Sequence, residues 1–93
     1  MSYSEKLPPE IIYLREGINS IDVKLVELLN LRMDYCKKVG QLKHEANISQ
    51  VYDSEREKAI IDKLSEISKY PAMVESIWPS IMLYSKYLQA QEK

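Results

Sequence analysis

An all-α chain of three helices, the first of them very long, is the fold class that three features of the sequence predict. Apolar residues at alternating steps of three and four form a seam through Ile11, Leu14, Ile18, Ile21, Leu25, Leu28, Arg32, Tyr35, Val39 and Leu42. That spacing keeps one face of a helix turned toward a partner. Glycine is confined to Gly17 and Gly40, and low glycine with sustained helical periodicity leaves little room for strands. Helix-opening residues recur at Pro8-Pro9, Ser54 and Pro71, which divides the chain into three helical stretches within one 93-residue domain, 1–93.

The first helix opens at Pro8-Pro9, with Pro9 or Glu10 in its first turn. Its pattern runs unbroken to about His44, about 35 residues or roughly 50 Å of helix. A compact monomer of this size has a radius of gyration of only about 12 Å. A second copy packing along such a rod is the simplest cover, so the first helix predicts a homodimer. Glu45 to Tyr52 reads as a short polar connection. Ser54-Glu55-Arg56-Glu57 then reads as a capping box, with Ser54 at the N-cap and Glu57 three residues on. Ile60, Ile61, Leu64 and Ile67 give the second helix its apolar stripe before Tyr70-Pro71 stops it. Pro71 opens the third helix, whose inward face reads Val74, Ile77, Trp78, Ile81, Tyr84 and Leu88. Pro79 lies inside that pattern and is expected to kink it by removing a backbone bond.

Bulk composition is that of an ordinary soluble protein, 45% apolar and 29% charged with a net charge of −1. Nothing in that balance calls for nucleic acid or an anionic membrane, so any positive field is local. The lone Cys36 cannot form an internal disulfide and suits a reducing compartment. It falls one residue off the seam and reads as a small core-facing side chain. The polar N-terminus shows no signal region, and no stretch approaches a membrane span. A cytoplasmic location is the expectation.

Arg32 breaks the seam where a helical core takes leucine. A guanidinium keeps its proton, so burying it is costly unless an anion meets it. Lys43 follows eleven residues later, close to three full turns, and points the same way. Two cations in an apolar seam suggest a dry pocket for an anion. Arg15 lies about 25 Å along the axis and roughly 100° round from Arg32, too far to share one small ligand within a chain. In an antiparallel dimer, however, Arg15 of one chain can approach the pocket of the other. Asp53, Arg56 and Glu57 cluster at the start of the second helix, and Ser85 and Gln89 are i, i+4 partners on the third. Each has a plainer reading. Arg15 beside Glu16 suits a solvated surface, Lys43 complements a helix C-terminus, and Glu57 completes a cap. Asp53 suits any helix N-terminus, and Ser85 and Gln89 any polar surface.

Taken in order, however, these segments resemble the all-helical class of chorismate mutases, over nearly the whole chain from about Ile12 to Gln91. The segments are Leu14-Arg15-x-x-Ile18-x-x-Ile21-Asp22, Leu28-Leu29-x-x-Arg32, Val39-Gly40-x-x-Lys43, Asp53-x-x-Arg56-Glu57 and Ser85-x-x-x-Gln89. The resemblance implies an intertwined dimer in which three helices from each chain interlock around two equivalent sites. It implies that Arg32 clamps one substrate carboxylate and Arg15, reaching across, the other. Lys43 and Gln89 would donate to the ether oxygen. Asp53 and Glu57 would hold the ring hydroxyl, Ser85 would orient a carboxylate, and Arg56 would support the site electrostatically. The implied reaction, a unimolecular Claisen rearrangement of chorismate to prephenate, asks for no nucleophile, metal or cofactor. It asks for a held conformer and for charge stabilisation at the breaking C–O bond, and arginine forks suit the two carboxylates.

Arg32-Met33-Asp34-Tyr35 looks more like the isochorismate-pyruvate lyases that share this fold. Those lyases lack a carboxylate at the position of Glu57 and a serine at that of Ser85, so the mutase reading is preferred. A third reading is a non-catalytic helical dimerisation module, with Arg32 paired to a carboxylate across the seam. The connection after Lys43 is one residue longer than in typical bacterial relatives, which bears on the placement of Asp53.

Overall fold

The computed structural model describes residues 6–49 and 53–91. Its regular elements there are three helices, α1 (Pro9–Glu45), α2 (Ser54–Ile67) and α3 (Pro71–Gln91), as an all-α chain requires. The expected N-terminal tail up to Glu5 and the Gln50–Tyr52 part of the connection lie outside the described residues. Contacts divide the chain into two units, Met1–Arg32 and Met33–Lys93. No helix among the described residues is long and apolar enough to cross a membrane.

In the first unit the Pro8 carbonyl accepts from the N–H groups of Ile11 and Ile12, at 3.0 and 3.3 Å. Pro9 follows as the first helical residue, where a missing N–H leaves nothing unpaired. Glu10 in the first turn complements the positive end of the helix dipole. The seam itself is open to solvent: Leu14, Ile21 and Leu28 are 62%, 58% and 63% exposed. Tyr13, Val23, Val26 and Leu31 beside it are exposed as well.

The second unit begins within α1 and owes its geometry to how each helix ends. Asn47 takes a left-handed φ of 58°. The Ile48 N–H reaches back to the Lys43 carbonyl at 2.8 Å and the Asn47 N–H to that of His44 at 3.1 Å. This is the paired 6→1 and 5→2 closure of a Schellman cap, with Asn in the place glycine usually takes. It ends α1 at Glu45, one residue beyond the expected His44.

The start of α2 differs from expectation. Asp53, not Ser54, is the N-cap: its backbone is extended and its Oδ1 accepts from the Arg56 N–H at 3.0 Å. The run Asp53-Ser54 offers two capping residues one position apart. The carboxylate wins because it both satisfies an orphan N–H and meets the dipole with a full negative charge. Ser54 becomes the first helical residue, and the expected Ser54/Glu57 capping box does not form.

Helix α2 closes at Ser68, whose N–H donates to the Leu64 carbonyl at 3.0 Å. The Ser68 hydroxyl accepts from the Tyr70 N–H at 2.9 Å, and Pro71 starts α3. Helix α3 then continues through Pro79 without a break. Pro79 is exposed, so the carbonyl it deprives of a donor has water at hand. Helix α2 packs on α3, and the core between them is thin: Val74 and Met82 are 3% exposed. Trp78, Ile81 and Leu88 are half-buried. Ile77 and Tyr84, expected on the inward face, are exposed, as is Ile67 on α2. Ile77 and Tyr84 fall just outside the buried stripe of α3, which Val74, Met82 and Ser85 form instead.

Candidate functional site

Six of the eight candidate residues lie in the second unit, and the structure draws two of them into direct contact. The Lys43 ammonium donates to Oε1 of Gln89 at 3.2 Å in a partly buried position. With its carbonyl oxygen occupied, Gln89 presents its amide N–H₂ as a donor, and Lys43 retains two further protons. One cation and one neutral donor therefore converge on the same space, a pairing suited to an oxygen that gathers negative charge.

Gly40 makes this convergence possible. It is buried, and a Cβ there would stand 2.8 Å from both Cα and the carbonyl oxygen of Gln89. Only a residue without a side chain lets the Gln89 backbone come so close to α1. Lys43, three residues on, is then on the neighbouring turn of the same face. In the sequence Gly40 stands out only as a glycine inside a helix, which does not reveal the close approach it permits.

Ser85 is 4% exposed. Its hydroxyl donates back to the Ile81 carbonyl at 2.8 Å and lies 3.5 Å from Sδ of Met33. Released from capping duty, the Glu57 side chain faces α3 instead, with Oε2 3.8 Å from Nζ of Lys86. Lys86 carried no signal in the sequence, because a lysine on a helix is ordinarily a solvated one. Lys86 and Gln89 are i, i+3 neighbours on α3, so the two polar pairs occupy adjacent positions along one helix. Asp53 is exposed and engaged in the cap. Arg56 is exposed and meets Asp53 through its backbone. Arg15 and Arg32 belong to the first unit, where Arg15 is exposed and Arg32 half-buried.

The sequence profile of the family described as chorismate mutase type II matches residues 14–90. A bifunctional chorismate mutase/prephenate dehydratase of Aquifex aeolicus (strain VF5) is 35% identical over 60 residues, 64% of this chain and 16% of that protein. One of the same name from Neisseria gonorrhoeae (strain ATCC 700825 / FA 1090) is 31% identical over 74 residues, 80% of this chain and 20% of its own length. The chain thus spans a fifth or less of the length of these curated relatives. No solved structure matches it significantly.

Proposed function

The chain belongs to the chorismate mutase type II family, and on that premise we propose that it rearranges chorismate to prephenate, a step toward phenylalanine and tyrosine. The observation that carries the reading is the Lys43–Gln89 contact at 3.2 Å. In the rearrangement the ether C–O bond breaks as a new C–C bond forms within one molecule, and negative charge builds on the ether oxygen. Lys43 and Gln89 donate to that oxygen, and they are preorganised by their mutual bond and by the close approach at Gly40. Arg32 and Arg15 fork onto the two carboxylates and hold the folded conformer. Ser85 helps orient a carboxylate, Glu57 and Asp53 hold the ring hydroxyl, and Arg56 adds positive potential.

The acting unit in this proposal is an intertwined homodimer in the cytoplasm, with Arg15 of each chain completing the other's site. The exposed seam in the first unit supports it: Leu14, Ile21 and Leu28 at roughly three-fifths exposure form an apolar stripe larger than a soluble helix leaves uncovered.

Incubating the purified chain with chorismate, and separately with isochorismate, tests the activity. Prephenate from chorismate is the expected product. Faster release of pyruvate from isochorismate would assign the chain to the lyases, and inertness toward both would leave a helical dimerisation module.

A further inference from the structure

We propose that Lys86 is a specificity-determining residue that, together with Glu57, selects a hydroxyl at the substrate ring. The proposal rests on the chorismate mutase reading and deepens it. The Lys86 ammonium and the Glu57 carboxylate stand 3.8 Å apart, with side chains only 30% and 24% exposed. A direct charge-assisted N–H···O bond is about 2.7–2.9 Å long, so the two groups form an ion pair whose separation leaves a gap longer than a direct bond. An oxygen about 2.8 Å from both fits that gap, subtending roughly a right angle between its neighbours.

The chemistry of the two flanking groups decides which oxygen fits. Glu57 only accepts hydrogen bonds and Lys86 only donates them. A group lodged between them must give one proton and take one, and an alcohol does both. It donates to Glu57 through its O–H and accepts from Lys86 through a lone pair. A protonated amine in its place can satisfy Glu57 but has no lone pair for Lys86, and adds a like charge beside it. The position of Lys86, next to the buried Ser85 and one turn from Gln89, sets this selection beside the groups that act on the ether oxygen.

The test compares kcat/KM for chorismate and for its analogue with an amine replacing the ring hydroxyl, in wild type, Lys86→Met and Lys86→Arg. Wild type is expected to prefer the alcohol. Lys86→Met should lower that preference tenfold or more, the scale of one hydrogen bond to a charged group. The loss on chorismate should fall mainly on KM, because the ring hydroxyl is not where charge develops. Lys86→Arg, which keeps a donor, should retain most of the preference. A wild type that prefers the amine would overturn the inference whatever the variants do. So would an active Lys86→Met enzyme with an unchanged ratio, which would leave the mutase reading standing. Failure of the wild type to rearrange chorismate would overturn both.

Discussion

Glu57 and Asp53 sit four residues apart at the start of one helix, yet the structure gives the capping duty to Asp53 alone. Asp53 caps α2, its carboxylate on the Arg56 N–H, while the Glu57 carboxylate is turned to α3 near Lys86. Asp53→Ala should therefore cost about 1 kcal/mol of stability, the usual worth of an N-cap. Glu57→Ala should melt within about 0.5 kcal/mol of wild type, as replacements away from caps and cores do, yet lose most of its turnover. Thermal melts beside chorismate assays separate the two; a Glu57→Ala chain that melts early and turns over normally would reduce Glu57 to a structural residue. Arg32→Met makes the complementary case. Removing a guanidinium from an apolar seam should leave stability equal or better, while activity falls by orders of magnitude for want of a carboxylate clamp. Full activity in a folded Arg32→Met chain would assign Arg32 a structural ion pair. The residue types of the candidate site stand out in the sequence because cations and amides on apolar helix faces are costly without a task. The division between Asp53 and Ser54 does not, since either residue caps a helix and a shift of one position decides what Glu57 does.

At the scale of elements, helix periods and stops are local and were readable, whereas helix approach is not a local property. Three- and four-residue spacing gave three helices, and Pro9 and Pro71 stand where α1 and α3 begin. The left-handed Asn47 that closes α1 and the contact of Gly40 with the Gln89 backbone depend on chain geometry and on a residue 49 positions distant (89 − 40). The same contact yields a sharp expectation. A methyl at Gly40 would press on backbone atoms of α3 at 2.8 Å, and backbone cannot rotate aside as a side chain can. Helix α3 must withdraw, which separates Gln89 from Lys43. Gly40→Ala should lose at least tenfold in kcat and melt earlier than wild type. In a Gln89→Ala background the same change should still lower the melting temperature but take little further from kcat, because the two act as one unit. Equal and additive losses of kcat in both backgrounds would detach Gly40 from the chemistry.

For the whole molecule, the long apolar seam and the thin core point to the same conclusion from opposite directions. Among the described residues only Val74 and Met82 are buried apolar side chains, far short of what holds a domain of this size together. The missing burial is available along α1, where Leu14, Ile18, Ile21, Leu25 and Leu28 are each more than half exposed. A second copy laid along that face would cover them, and would also bring Arg15 to a site that its own chain's Arg32 cannot share with it. The central claim is that two chains build each active site. It is tested most directly by mixing Arg15→Ala chains with Arg32→Ala chains under subunit exchange and measuring chorismate turnover. Each parent is expected to be inactive, and a hybrid dimer holds one site with both lesions and one with neither. At equal proportions the mixture should recover roughly a quarter of wild-type activity, given random pairing in a twofold dimer. A mixture as inactive as its parents, or a monomer fully active at assay concentration, would contradict the account.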